Sequence, residues 1–194
     1  SKLPFDLPGK IDGSAKYGSD VFVPNMVYGI PVQNPVRWGA VPKNVDESAA
    51  KKIDGYVGAY VEKNGFARIN TGYVVALGET IWAAMNAAKA LKIDWDLGEN
   101  KNVSSEDIRN ESVKLQQDPS KGFLWVLEGD TDDAMKNAAT KHSAVYETSI
   151  AYHGCHEPMN CTAYEKDGIW HLHGGNQWFS MAAPTAAAAL GVEA

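Results

Sequence analysis

YVVALGETIWAAMNAAKALKIDWD, residues 73–96, is the stretch from which the fold class is read. Tyr73 to Leu77 is aromatic and β-branched, the composition of a strand. Glu79 to Leu91 has few β-branched residues and a run of alanines, and its apolar positions Trp82, Met85, Ala88 and Leu91 recur at helical spacing. A helix packed on a sheet through small residues is expected there. Lys92 to Asp96 then returns as a strand. Strand, helix and strand in succession read as one crossover, right-handed if the two strands are parallel. The chain is therefore expected to be α+β.

Upstream, Tyr56 to Glu62 and Phe66 to Ile69 predict a hairpin around Lys63-Asn64-Gly65. Asp46 to Lys52 predicts a short helix capped by Asp46. Short strands are expected at Val21 to Val23 and Met26 to Val32, after a turn-rich stretch from Lys10 to Asp20. Ser1 to Pro8 reads as an extended lead-in whose prolines oppose a helix. Residues 1–98 form the first predicted domain.

Downstream, residues 99–120 read as a polar connector. Ser104-Ser105-Glu106-Asp107 resembles a capping box, which predicts a surface helix from Glu106 to Gln117, stopped by Asp118-Pro119. Residues 121–194 open a second domain, with a strand at Phe123 to Leu127 and a helix capped at Asp130-Thr131 and running to Ala139.

Most of the residues capable of chemistry lie in KHSAVYETSIAYHGCHEPMNCTAYEKDGIWHLHGGNQ, residues 141–177. Four of the five histidines fall between His153 and His173, together with both cysteines. Strands are expected at Ala144 to Ile150, with one buried face, at Asn160 to Tyr164 and at Ile169 to His173, the last two joined by a positive-φ turn at Lys166-Asp167-Gly168. Alternation puts Ile169, His171 and His173 on one face and Trp170 and Leu172 on the other. Gly174-Gly175 releases the chain into a loop, so Asn176 and Gln177 sit at a strand end, where functional side chains are often presented. Beyond them, Pro184 fits the first turn of a helix that ends at Leu190-Gly191. One hairpin and one helix leave this second sheet poorly covered, and the chain is expected to be incomplete as a folding unit.

Composition excludes several classes. A net charge of −6 with no basic patch argues against a nucleic-acid partner. No apolar run approaches the roughly 20 residues of a membrane helix, and Ser1-Lys2-Leu3 is neither a signal nor a transit sequence. Two cysteines in 194 residues do not make a disulfide framework. His153, Cys155, His156 and Cys161 suggest a zinc site, joined by His171 and His173. However, the first three crowd into one turn, and structural zinc usually takes spaced knuckles, so no metal ligand is assigned. A Cys155–Cys161 disulfide, a Cys155 nucleophile beside His156 or His153, and a plain turn residue all remain open for the cysteines. Glu157, ahead of Pro158, either fixes a turn or lines a cavity. Gln177 taken alone is a solvated loop amide.

The stretch Gly9 to Asp20 with Pro24-Asn25-Met26-Val27-Tyr28 resembles the start of the a/b hammerhead domain of molybdenum hydroxylases, the xanthine dehydrogenase and aldehyde oxidase family. Val45 to Ala50, Trp82-Ala83-Ala84 and Leu91 to Asp96 continue the match. Glu147, the run Glu157 to Ala163 and the Asn176-Gln177 tip resemble the opening of the adjoining molybdenum-cofactor domain. The resemblance covers nearly the whole chain in order. It is nearest to large subunits of the isoquinoline 1-oxidoreductase and membrane-associated aldehyde dehydrogenase type.

The resemblance implies a molybdopterin cytosine dinucleotide cofactor, a small subunit with 2Fe-2S clusters and, in some members, a cytochrome c subunit. It implies oxidation of an aldehyde, or hydroxylation of an electron-poor N-heterocycle, with oxygen from water. It also implies a periplasmic location, with membrane association through a partner. Gln177 corresponds to the family's glutamine beside the molybdenum oxo group, and Gly175, Asn176, Gln177 and Trp178 to its cofactor-facing loop. An uncharged amide suits that task because it donates a hydrogen bond without displacing a metal ligand. Threonine is common where this chain has Asn176. The glycine-rich cofactor loop and the catalytic glutamate are expected beyond Ala194, in the remainder of the large subunit. The alternative is a stand-alone hammerhead-type assembly module with no redox activity.

Overall fold

The computed structural model describes residues 4–63, 71–126, 128–151 and 154–193. Two compact units are present, one of Ser1–Lys101 with Cys155–Ala194 and the other of Asn102–Gly154. Helices and small antiparallel sheets are mixed throughout, an α+β architecture.

The first unit contains α1 (Leu7–Asp12), β1 (Tyr28–Val32), β2 (Val41–Asp46), β3 (Tyr56–Glu62), β4 (Tyr73–Gly78), α2 (Ile81–Ala90) and β5 (Lys92–Asp96). One sheet has the order β1-β4-β3, with Val32 opposite Val74 and Glu62 opposite Tyr73. A second pairs β2 with β5, from Val41 opposite Asp96 to Asp46 opposite Lys92. Along β4 the side chains alternate, with Val74, Ala76 and Gly78 buried. Val74 and Ala76 meet Ala50, Ala87 and Leu91 in the core, flanked by Val32, Val45, Ile53, Tyr56 and Val61. Burial pushes the Tyr56 hydroxyl well above its usual range, and the hydrogen bond it donates to Glu47 Oε2 at 2.8 Å adds to the shift.

The helix predicted from residues 79–91 forms one turn shorter, with Thr80 Oγ1 accepting the Ala83 N–H at 3.0 Å as its cap. Its buried face is the small-residue one, as expected, but it leaves out Trp82 and Met85 of the recurring apolar positions. Ala83, Ala84 and Ala87 are enclosed, whereas Trp82 is 70% and Met85 37% exposed. The cause is backbone proximity: a Cβ on Gly78 would lie 2.5 Å from Ala84 N, so only small side chains fit between helix and strand. Each buried methyl-sized group is worth about 0.8 kcal/mol, so close approach along the whole face, not one large anchor, holds α2.

The expected crossover is also corrected. β4 and β5 flank α2 but lie in different sheets, because β5 takes β2 as its partner. β2 occupies the start of the stretch read as a helix from Asp46. Pro42 and the polar pair Lys43-Asn44 hid its alternation, and a bulge falls between Pro42 and Asn44. Asp46 Oδ1 accepts the Ser48 N–H at 2.9 Å in a local turn, and only a short 3-10 turn, Ala50–Lys52, follows. Val21 to Val23 is not a strand, and the strand expected from Met26 begins at Tyr28. α1 forms despite Pro8, which sits in its first turn where the missing N–H has no intrahelical partner; Gly13, at φ 77°, ends it. Phe66 to Ile69, the expected return of the hairpin, lies outside the described residues; β3 pairs with β4 instead.

The rest of this unit is β6 (Thr162–Lys166), β7 (Ile169–His173) and an alanine-rich helix, Phe179–Leu190. That helix starts a turn earlier than expected and carries Pro184 in its interior, at the loss of one backbone hydrogen bond. Gly191, at φ 69°, terminates it, and the Val192 N–H donates to Ala187 O at 3.0 Å.

The second unit contains α3 (Ser105–Gln116) and α4 (Thr131–Asn137), which make the terminal helix α5. Ser104 and Asp107 cap α3 reciprocally, as expected: Ser104 Oγ accepts the Asp107 N–H at 3.1 Å and Asp107 Oδ2 accepts the Ser104 N–H at 2.8 Å. Those hydrogen bonds, the Ser104 hydroxyl's first among them, hold the Asp107 carboxyl below its usual range. Asp130 caps α4 through the Asp133 N–H at 2.9 Å. Phe123 to Val126 and Ala144 to Ile150 are not strands; Leu127 lies outside the described residues. Alternation marks which face would be buried, yet a strand also needs a hydrogen-bonded neighbour, and none of the described residues supplies one. Arg109 instead holds Glu147 with two hydrogen bonds, 2.6 and 3.2 Å.

Candidate functional site: an amide tip at a strand end

The β6–β7 hairpin turns at Asp167 (φ 55°) and Gly168 (φ 79°), the two positive angles that a two-residue turn of this twist needs. Pairing runs from Lys166 opposite Ile169 to Thr162 opposite His173. That register places Tyr164, His171 and His173 on one face as a stack, with centroid separations of 5.0 Å to His171 and 5.6 Å to His173. Tyr164 Oη and His173 Nε2 lie 3.3 Å apart. The two histidines are thus engaged with an aromatic ring. Among the described residues no three His, Cys, Asp or Glu side chains group to hold a metal ion; His153 lies outside them. Cys155 and Cys161 are both free and exposed.

Where β7 ends, the chain is pressed against the turn that precedes β6. A Cβ on Gly174 would lie 2.5 Å from Asn160 O and 3.3 Å from the Cys161 Cα. Gly175 is exposed, and the nearest atom to its missing Cβ is Glu157 Oε2 at 3.6 Å. Asn176 folds back, its Oδ1 accepting the Trp178 N–H at 2.6 Å, and this local turn lifts Gln177 to the surface. Gln177 is exposed, and its amide has no hydrogen-bond partner among the described residues. Trp178 is 62% exposed and precedes α5. The four residues expected in the cofactor-facing loop are consecutive and exposed. An uncharged amide without a hydrogen-bond partner among the described residues has the donor chemistry that the implied group calls for.

Beneath the tip, Glu157, read from sequence as fixing a turn or lining a cavity, makes a long-range contact that sequence reasoning did not foresee, and Asn160 was given no role of its own. Glu157 Oε1 accepts the N–H of Gly18, 139 positions earlier, at 3.1 Å. Asn160 Nδ2 donates to Pro158 O at 2.7 Å and approaches Glu157 Oε1 at 3.4 Å. Asn160 Oδ1 is buried without a partner among the described residues and would overlap any Cβ at Gly18. The i, i+3 spacing of Glu157 and Asn160 around a proline was the available signal. Elsewhere, Phe22, Asn25, Met26, Tyr28, Glu79, Thr80, Ile81 and Trp82 line an open groove of about 500 Å³. Gln177 is not among its walls.

No family model matches the chain. Among curated proteins it is 37% identical over 187 residues to the membrane-bound aldehyde dehydrogenase [pyrroloquinoline-quinone] of Gluconacetobacter polyoxogenes, a match covering 96% of this chain and 24% of that protein. It is 32% identical over 201 residues to the isoquinoline 1-oxidoreductase subunit beta of Brevundimonas diminuta, again 96% of this chain and 24% of the relative. Among solved structures, a reconstituted CO dehydrogenase from Oligotropha carboxidovorans aligns with 49% of this chain and 15% of its own at 16% identity and a TM-score of 0.38, too low to carry a fold assignment. The chain spans about a quarter of the length of the curated relatives that it matches. These relatives are xanthine oxidase family molybdenum enzymes, and the chain is similar to them along 96% of its length.

Proposed function

We propose that this chain is part of the molybdopterin-binding large subunit of a molybdenum hydroxylase that oxidises aldehydes, or hydroxylates N-heterocycles, and passes electrons to an iron-sulfur subunit. The observation that carries the reading is 37% identity to a membrane-bound aldehyde dehydrogenase in an alignment that covers 96% of the chain. In this reading residues 1–98 are the a/b hammerhead domain, 99–120 a connector and 121–194 the first part of the cofactor domain. The cofactor is molybdopterin cytosine dinucleotide, and the partners are the remainder of the large subunit, a 2Fe-2S small subunit and a cytochrome c subunit. The location is periplasmic, at the membrane through a partner; no helix of the described residues is long and apolar enough to cross a membrane.

The molybdenum centre supplies a two-electron oxidation of substrate carbon with oxygen taken from water. This chain's own contribution is positional. Gln177 would donate its amide N–H to an oxygen of the bound group, while the Asn176 turn, closed by the Trp178 N–H, would fix the backbone that carries it. Being uncharged, the Gln177 amide neither takes nor gives a proton near neutral pH, so it orients a ligand throughout the cycle.

The relative's name offers a second reading, a quinoprotein, since it specifies pyrroloquinoline quinone. Metal analysis and quinone extraction of the complete assembled enzyme separate the two. About one molybdenum per large subunit, with iron, is expected; a quinone without molybdenum overturns the reading. Gln177→Ala is expected to lower kcat/KM about 10- to 100-fold, the range for outer-shell partners of a metal site, with an unchanged Tm. An unaltered kcat/KM removes Gln177 from the mechanism.

A further inference from the structure

We propose that Glu157 and Asn160 are positioning residues for Gln177, joining the Gly18 turn, the 157–161 turn and the Gly174–Gly175 strand end into one junction from which the amide tip projects. The inference rests on the active-site reading of Gln177.

Three sets of contacts meet at this junction. Glu157 Oε1 accepts the Gly18 N–H at 3.1 Å, which ties a turn near the start of the chain to the hairpin. Such a charge-assisted bond to a carboxylate is stronger than one between neutral groups. The same oxygen faces Asn160 Nδ2 at 3.4 Å, and Asn160 Nδ2 is held by Pro158 O at 2.7 Å, so both side chains are aimed by their own turn. Gly18 and Gly174 then close over Asn160. Gly18 leaves no room for a Cβ beside Asn160 Oδ1, and Gly174 leaves none beside Asn160 O, which a Cβ would approach to 2.5 Å.

The consequence for the tip follows from chain length. Only Gly175 and Asn176 separate Gly174 from Gln177. Both ends of that link are held: the base by contact with Asn160 and Cys161, the top by the 2.6 Å bond from the Trp178 N–H to Asn176 Oδ1. Glycine at 175 would otherwise give the link wide conformational freedom. The other carboxylate oxygen, Oε2, stands 3.6 Å from the Gly175 Cβ position and borders the path that the backbone takes. Asn160 Oδ1, buried and without a partner among the described residues, is tolerated where its cost is offset by a fixed geometry.

The test uses the complete assembled enzyme with Glu157→Ala, Glu157→Gln and Asn160→Ala, each alone and with Gln177→Ala. Loss of a support beneath an active-site loop is expected to lower kcat/KM about 5- to 50-fold for Glu157→Ala and Asn160→Ala, while Glu157→Gln, which keeps an oxygen for the Gly18 N–H, stays within about 3-fold. Amide hydrogen exchange in residues 174–178 is expected to quicken in the two alanine variants and not in Glu157→Gln. Added to Gln177→Ala, neither alanine change is expected to lower kcat/KM further. Losses that multiply, exchange at 174–178 that does not change, or wild-type kcat/KM in the alanine variants overturn the positioning role while leaving Gln177 in place. If Gln177→Ala itself is as active as wild type, the active-site reading fails, and the positioning role fails with it.

Discussion

A methyl group at position 78 has nowhere to go. Gly78 ends β4, and a Cβ there would sit 2.5 Å from Ala84 N and 3.0 Å from Ala84 Cα, atoms of a helix backbone that cannot swing aside. Gly78→Ala is therefore expected to cost about 1–3 kcal/mol, the usual penalty for overpacking, seen as a lower midpoint in thermal or urea unfolding. A variant as stable as wild type would show that α2 is not seated on β4 as described. Sequence made Gly78 look like a strand end and no more. Its true constraint is the distance to a helix six residues on, which no local pattern encodes. Gln177 is the opposite case: two glycines at a strand end, followed by two amides, announce an exposed presenting loop, and the tip is exposed. What lay hidden was the packing of Asn160, because Gly18, which closes over it, is 142 positions away.

At the level of elements, α2 packs through its small residues, as its alanine run predicts, and not through every large side chain at helical spacing. Trp82, Met85, Ala88 and Leu91 recur at helical spacing, yet the alanines at 83, 84 and 87 are buried and Trp82 is 70% exposed. The apolar rule assumes that large side chains fill a gap, and here the gap is absent. The two faces should respond unequally to substitution. Ala87→Leu is expected to destabilise the chain by about 1–3 kcal/mol. Trp82→Ala is expected to change stability by less than about 0.5 kcal/mol. Urea midpoints measured on both variants check the assignment, and the reverse order would restore the Trp82 face as the packed one.

Across the whole molecule, the least buried part is residues 102–154, where no described side chain is buried and Phe123, Trp125 and Tyr146 are 83%, 84% and 90% exposed. Arg109 and Glu147 link α3 to the extended segment that follows α4. The Arg109 guanidinium, through its hydrogen bonds first and its charge second, holds the Glu147 carboxyl below the ordinary value of 4.5. A depressed carboxylate stabilises the folded form above its unfolded value and loses that effect as pH falls through its folded one. The Glu147 carboxyl, followed by NMR, is accordingly expected to stay ionised and paired at pH 6–7 and to titrate below the ordinary 4.5, and Arg109→Ala should raise its midpoint toward that value. A midpoint unmoved in Arg109→Ala would assign the depression to other groups. By itself the sequence determined the α+β class, the caps at Ser104 and Asp130, the positive-φ turn at Asp167-Gly168, the stop at Gly191 and the family resemblance, because each depends on neighbours a few positions apart or on their order along the chain. Only the tertiary structure decided that β5 pairs with β2, that Trp82 and Met85 stay outside the core face of α2, that Ala144 to Ile150 finds no strand partner among the described residues, and that Glu157 and Asn160 lie beneath the tip. Those outcomes turn on which backbones come close enough to exclude a methyl group or exchange hydrogen bonds, a distance in space that spacing along the chain does not record.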